Sequence, residues 1–276
     1  MLKLLACLFM LLDHIGYYFS FALPWPLVLV LRGLGRLAFP IFAWSVARGF
    51  SRTHNPLVYF VRMAIFAVLT EAAFRFMHAR AGLAVNSSNV LVTFSLAIVL
   101  LSGYRLACHA SKDMLASLRP ISPTVHTLSS QNRFDVRINV GGIELDRRLG
   151  LALGLLMMFL ALLAAIFLKP DYGIYGLLTV LLFYAVHDHY PEKFWERRAV
   201  QGFVILNILF LIIRIVTRET SVDWAILQCL SIAAIPFCYA LDRDRKPKRF
   251  TKYAFYLFYP VHIIILLAIR ILFWPM

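Results

Sequence analysis

Long apolar segments and short polar ones follow each other along the whole chain. An apolar segment of about 20 residues is the length at which an α-helix crosses the hydrocarbon core of a bilayer. The pattern predicts about nine such spans, the sixth at the short end of the range for a crossing helix. Their predicted bounds are 2–22, 27–48, 56–77, 87–107, 149–168, 172–187, 199–216, 222–241 and 253–273.

The composition excludes a soluble domain. Hydrophobic residues make up 61% of the 276 positions and charged residues only 15%. We therefore expect an all-α polytopic membrane protein, a single domain over 1–276 with a polar site inside the membrane. A polar cytoplasmic loop, 108–148, is inserted between spans four and five. Its stretch FDVRINVGGIELD predicts a small β-hairpin, with a mobile loop as the alternative.

Charge sets the expected orientation. The chain has 28 Lys and Arg and a formal net charge of +14. Nine spans place nearly all the loop Lys and Arg on one side, including Arg48, Arg52 and the stretch 243–252. The positive-inside rule makes that side, and the amino terminus, cytoplasmic. Because these loops lack interleaved aromatic residues, we expect no nucleic-acid partner.

Polar residues inside spans one and two are the first candidates for chemistry. Asp13 and His14 are adjacent in an apolar helix, about 100° apart around its axis. Arg32 and Arg36 lie four residues apart on one face of span two, and a buried guanidinium there requires an anion. Asp13 is the nearest candidate because the two spans are joined by a short loop. A structural Asp13–Arg36 pair that only fixes helix packing is the alternative.

Two further spans carry polar groups. Asn89 opens span four, while Pro260 in the last span frees a backbone carbonyl near Tyr259 and His262. A lone intramembrane His is most often a satisfied core residue. Two such histidines together with an Arg and an Asp favour a functional site. The Cys and His spacings match no zinc motif, so no metal is expected.

Five stretches in this order resemble the TraX family. They are MLLDHIGYYF, LRGLGRLAFPIFAWSVARGF, NVLVTFSLA, DYGIYGLLTVLLFYA and YAFYLFYPVHIIILLAI. The named member of that family acetylates the amino terminus of conjugative F-pilin. The family is grouped with larger membrane acyltransferases, in which acetyl-CoA binds from the cytosol and an intramembrane His serves acetyl transfer. The segment 108–148 is longer than the corresponding link expected in the family.

The resemblance implies an acetyl-CoA-dependent O- or N-acetyltransferase of the bacterial inner membrane, surrounded by lipid. The expected acceptor is a pilin amino terminus or an envelope glycan or lipid. His14 is the expected base or acyl-accepting nucleophile, and Arg36 supplies positive charge to the reacting oxygen or to the CoA phosphates. The assigned residues are His14, Asp13, Arg36 and His262 for catalysis, Asn89, Tyr172, Arg32 and Tyr259 for substrate, and Arg48 and Arg52 for the cofactor.

Two other classes remain open on the residues alone. Buried Asp, His and Arg are equally expected in a proton-coupled transporter. A non-enzymatic assembly protein of the envelope would use the segment 108–148 as its docking element. The transporter predicts substrate flux without a covalent product, which separates it from the acetyltransferase.

Overall fold

The computed structural model describes most of the chain. Side chains are described for 1–85, 87–111, 146–217, 226–242 and 254–274 and for Trp224. The backbone is described for 1–85, 87–118, 137–140, 143–217, 222–242 and 249–274.

The described residues form eleven α-helices and one short hairpin. The first six helices are α1 Leu2–Tyr18, α2 Trp25–Gly35, α3 Ala38–Ser51, α4 Pro56–Arg80, α5 Val90–Leu118 and α6 Arg147–Leu168. They are followed by α7 Gly173–His189, α8 Trp195–Val216, α9 Val222–Cys229, α10 Ala234–Leu241 and α11 Arg249–Phe273. Short 3-10 helices lie at Glu192–Phe194 and Leu230–Ala233. The strands are β1 Arg137–Val140 and β2 Ile143–Asp146.

The membrane character of the fold is confirmed more firmly than the number of crossings. Each of the predicted spans contains helix, and 6 helical segments in the described part are long and apolar enough to cross a bilayer. One of these segments combines α2 and α3. The helices α1 and α7 have 17 residues each, about 25 Å at 1.5 Å per residue, which is short of a hydrocarbon core. The crossing of α1, α7 and the α9–α10 segment stays a prediction.

Proline interrupts two segments that were predicted as single helices. The segment 27–48 divides into α2 and α3 at Arg36 and Leu37, because Pro40 has no N–H to donate to the carbonyl of Arg36. The segment 222–241 divides into α9, a 3-10 turn and α10, and Pro236 leaves the carbonyl of Ile232 free in the same way. Arg36 consequently lies at a break between helices rather than inside one.

The long polar segment was predicted partly correctly. β1 and β2 pair antiparallel with Val140 opposite Ile143, so the predicted hairpin is confirmed. Helix α5 continues to Leu118, whereas the sequence placed its end at 107. The segment 119–136 lies outside the described residues.

The centre of the fold is formed by α1, α3, α5, α7 and α11. Helix α3 is the most deeply buried, with Ile41, Trp44 and Phe50 at most 1% exposed. Helix α6 lies outside and presents Phe159 and Phe167 at its surface, as expected for a lipid-facing helix. In this arrangement α1 and α11, which carry the two candidate histidines, pack against each other.

Reporter fusions are expected to read opposite sides of the membrane. Nine crossings put a reporter inserted within 119–136 in the cytoplasm and one placed after Met276 outside, as the distribution of Lys and Arg requires. A cysteine-accessibility assay on intact cells measures both positions. Six crossings would place the two termini on the same side, so a cytoplasmic reading after Met276 would contradict the nine-span topology.

Candidate intramembrane site

The two candidate histidines meet between α1 and α11. His14 Nδ1 lies 2.7 Å from His262 Nε2, and His262 Nδ1 lies 2.7 Å from the carbonyl oxygen of Phe258. A carbonyl only accepts, so Nδ1 of a neutral His262 carries the hydrogen and its Nε2 accepts from His14. Nε2 of His14 then holds the lone pair. The contact fixes which nitrogen of His14 is available as a base.

Asp13 forms its ion pair with Arg32. The distance from Arg32 Nη1 to Asp13 Oδ2 is 2.7 Å, and the two side chains are 16% and 17% exposed. The guanidinium also lies over the rings of Tyr17 and Trp224. The predicted Asp13–Arg36 pair is therefore wrong. Gly35 faces Asp13 across the helix pair. Around α2, Arg32 lies about 60° from Gly35 and Arg36 about 100° from it, so Arg32 is the better placed partner.

Gly35 makes the close approach of Asp13 possible. A Cβ at this position would lie 2.6 Å from Asp13 Cγ and would also overlap its Cβ and Oδ1. Overlap with the atoms of a short side chain on a neighbouring helix cannot be relieved without moving that helix. The glycine therefore lets α1 and α2 pack with the ion pair between them.

Replacing Gly35 by alanine is expected to displace α1 from α2. The overlap costs about 1–3 kcal/mol of stability and stretches the Asp13–Arg32 contact. Thermal unfolding of the purified variant in detergent measures the loss. Gly173→Ala is the control for space, because a Cβ there meets nothing within 4 Å, although its positive φ of 49° adds backbone strain. Equal stability of Gly35→Ala and the wild type would contradict the close approach.

Arg36 faces the amino end of α7. It hydrogen-bonds to the side chain of Tyr172, with Asp13 and Asp171 as the nearby negative groups. Its Nε is buried and has no hydrogen-bond partner among the described residues. The Tyr172 ring is stacked on Phe39 with 3.7 Å between the ring centroids. Arg36 is thus held by an aromatic pair and retains an unused donor.

Asp171 belongs to the same group, and sequence analysis missed it. It lies in the turn between α6 and α7, where Lys169, Pro170 and Asp171 were interpreted only as a connection. Desolvation of the carboxyl and, second, the negative charge of Asp13 raise the pKa of Asp171 to about 6. Part of the residue is nevertheless exposed at the surface. The sequence did contain a signal for Asp171, because it directly precedes Tyr172, a predicted substrate residue.

A cavity of about 40 Å³ lies beside these groups. Its polar wall consists of Asp13, His14, Asp171, Tyr172 and Tyr259. Tyr259 is 6% exposed, and its hydroxyl bonds to the backbone of Val90. Three helices, α3, α5 and α7, begin at this wall. Their amino ends carry partial positive charge, which stabilises an anionic group in the cavity.

Asn89 has a structural position. Its Nδ2 donates to Ala67 O and to Glu71 Oε2, and its Oδ1 accepts from Leu91 N, which caps the start of α5. Glu71 in turn forms an i,i+4 ion pair with Arg75 at 2.7 Å. Asn89 is 2% exposed and does not line the cavity. The contacts join α5 to α4 and give Asn89 a packing role, while its role in substrate binding stays a prediction.

The two predicted cofactor residues lie away from the histidines. Arg48 Nε donates to Asp242 Oδ2 at 2.9 Å, and Trp44 Nε1 donates to the same oxygen at 2.9 Å. The Arg48 guanidinium lies over the Trp195 ring. Arg52 is exposed at the carboxyl end of α3. The neighbouring basic residues 243–248 of the predicted cytoplasmic cluster lie outside the described residues.

A third histidine extends the network and was also missed. His78 in α4 donates from Nδ1 to Phe74 O at 2.8 Å, and its Nε2 accepts from the Tyr18 hydroxyl at 3.2 Å. The Tyr18 ring stacks on His14, and Arg270 of α11 donates to the Tyr18 carbonyl. One turn beyond His14, these contacts tie α1 to α4 and α11.

Comparison with known proteins identifies the family. The family model described as TraX protein matches residues 1–270, and the chain belongs to the TraX family. It is also 25% identical to the probable fimbrial assembly protein FimC, serogroup H1, of Dichelobacter nodosus over 280 residues, covering 98% of this chain and 94% of that protein. No solved structure matches the chain. The resemblance drawn from the sequence is confirmed at the level of the family.

Proposed function

We propose that this TraX-family protein is a membrane-embedded acyltransferase, which moves an acetyl group from cytosolic acetyl-CoA to an acceptor at or beyond the membrane. The observation that carries the proposal is the hydrogen bond between His14, which lines the cavity, and His262. A neutral imidazole with an oriented lone pair is the usual general base in acyl transfer. The family membership supports the same assignment.

The proposed reaction is a direct transfer. His14 Nε2 removes the proton from an acceptor hydroxyl or amine as its oxygen or nitrogen attacks the thioester carbonyl carbon. A new C–O or C–N bond forms and the C–S bond breaks. The CoA thiolate leaves and recovers the proton from His14. An acetyl-His14 intermediate is the covalent variant of the same reaction.

Positive charge around the cavity fits the proposed transition state. Negative charge develops on the carbonyl oxygen during attack, and fixed donors lower its free energy. Arg36 does not line the cavity itself but hydrogen-bonds to the lining residue Tyr172, and its buried Nε has no hydrogen-bond partner among the described residues. The helices α3, α5 and α7 begin at the cavity wall. Arg32 neutralises Asp13, which otherwise would repel the developing anion. These groups supply the stabilisation that the reaction requires.

The acceptor and the location are part of the proposal. A relative in Dichelobacter nodosus bears the name of a probable fimbrial assembly protein, which favours a fimbrial or pilin subunit as acceptor over a glycan or lipid. The inner membrane of a bacterium, with the amino terminus in the cytoplasm, is the proposed location. A proton-coupled transporter is the second candidate, because Asp13 and Asp171 both line the cavity.

Acetyl-CoA is expected to bind to the purified protein in lipid nanodiscs and to release free thiol. Raising the ionic strength should weaken binding, because the CoA phosphates interact with exposed basic side chains such as Arg52. Isothermal titration and a thiol assay measure the two effects. Absence of both binding and thiol release in a folded preparation would favour the transporter.

A further inference from the structure

The cavity beside His14 has the size of a very short acyl group. One water needs about 10–15 Å³ of such volume, so about 40 Å³ accommodates roughly three non-hydrogen atoms, the number in an acetyl group. A butyryl group has five. The space is therefore close to the volume of an acetyl group, and a longer chain requires the wall to move or extends through the open side of the cavity.

The cavity wall combines apolar and polar surfaces. Met10, Phe42 and Phe94 are apolar members of the wall, and His14, Tyr172 and Tyr259 are polar members. An acetyl group has the same division between an apolar methyl and a polar carbonyl. A purely polar ligand would place polar atoms against the apolar wall without hydrogen-bond partners. A purely apolar ligand would remove water from the tyrosine hydroxyls without replacing its hydrogen bonds.

The wall is also held firmly in place. Phe94 is 3% exposed and lies parallel to Phe39, which is itself stacked on Tyr172. Met10 is 8% exposed and precedes His14 by four residues on the same face of α1. Inserting extra methylenes into a packed interior displaces neighbouring side chains and is unfavourable. Chain length is thus selected by the wall rather than by the reacting groups.

We propose that this cavity holds the acyl group of the donor, and that Met10 and Phe42 determine the acyl length that the protein accepts. The inference rests on the proposed acetyl transfer and adds the identity of the residues that limit the donor. Met10 lines the cavity from α1, and Phe42 lines it from α3. Neither residue carries a group that takes part in proton transfer.

The test compares acetyl-, propionyl- and butyryl-CoA on the full-length protein in nanodiscs. Each methylene beyond acetyl is expected to lower kcat/KM for thiol release by roughly tenfold or more. Met10→Ala is expected to raise the butyryl-to-acetyl ratio by roughly tenfold, and Phe42→Leu should raise it in the same direction. The second variant decides the result if Met10→Ala does not fold.

Met63→Ala is the matched control. Met63 is 2% exposed in α4 and does not line the cavity, so its truncation should leave the butyryl-to-acetyl ratio unchanged. Equal rates for all three donors in the wild type, or an unchanged ratio in both folded cavity variants, would overturn the inference while acetyl transfer stands. Failure to bind or cleave any of the donors would instead count against the proposed function.

Discussion

Replacing His14 by alanine is expected to lower acetyl transfer by roughly a hundredfold or more, the scale at which a positioned proton-transfer group acts. The variant should still insert and fold, because among the described residues the side chain of His14 hydrogen-bonds only to His262. Thiol release from acetyl-CoA in nanodiscs, together with thermal unfolding of the same preparation, measures both properties.

His262 provides the companion variant. Since its Nε2 accepts from His14 Nδ1, His262→Ala removes the contact that orients the base but leaves the base itself. Its loss should be smaller than that of His14→Ala and should appear mainly in kcat. One result would contradict the catalytic assignment. If His14→Ala keeps full activity while Arg36→Ala fails to fold in the same membranes, His14 and Arg36 are both structural.

Arg32→Ala is expected to give the largest loss of stability. The substitution leaves the partly buried carboxylate of Asp13 without its ion-pair partner, which costs about 3–5 kcal/mol for a buried pair. Arg32→Lys should retain part of the stability but not the planar contact with Tyr17 and Trp224. Thermal unfolding in detergent and the yield of folded protein measure the effect.

A double variant distinguishes charge from packing. Asp13→Asn together with Arg32→Gln removes both charges, so it should be more stable than Arg32→Ala alone. Arg75→Ala is the control for an ordinary ion pair, because Arg75 is 57% exposed and its pair with Glu71 is worth about 0–1 kcal/mol. A cost for Arg32→Ala no larger than that for Arg75→Ala would contradict the buried pair.

The sequence predicted the helical segments well because their apolar character does not depend on tertiary contacts. It also identified His14 and His262 separately, since an ionisable residue at membrane depth is conspicuous. Their mutual contact depends on the packing of α1 against α11. The two histidines are 248 residues apart in the sequence, so no local pattern indicates that these helices are neighbours. The sequence therefore provided a reason to consider the two histidines together, but not their hydrogen bond.

The errors have definite physical origins. Both Arg32 and Arg36 share a face in a continuous helix, so periodicity cannot choose between them as partners of Asp13. In the folded protein, the helix break before α3 and the contact of Asp13 with Gly35, which has no Cβ, determine that Arg32 is the partner. The substrate role that the family resemblance implies for Asn89 stays a prediction. Its cap contacts with Glu71 and Ala67 join two helices whose packing the sequence does not reveal.

Mass spectrometry of the envelope tests the central claim most directly. Proteins, glycans and lipids are compared between cells that have the gene, cells that lack it, and cells in which the gene carries His14→Ala. Acetyl transfer predicts one envelope component that carries an added acetyl group only with the wild-type gene. Identical acetylation in all three strains, with the wild-type protein present and folded in the membrane, would contradict it.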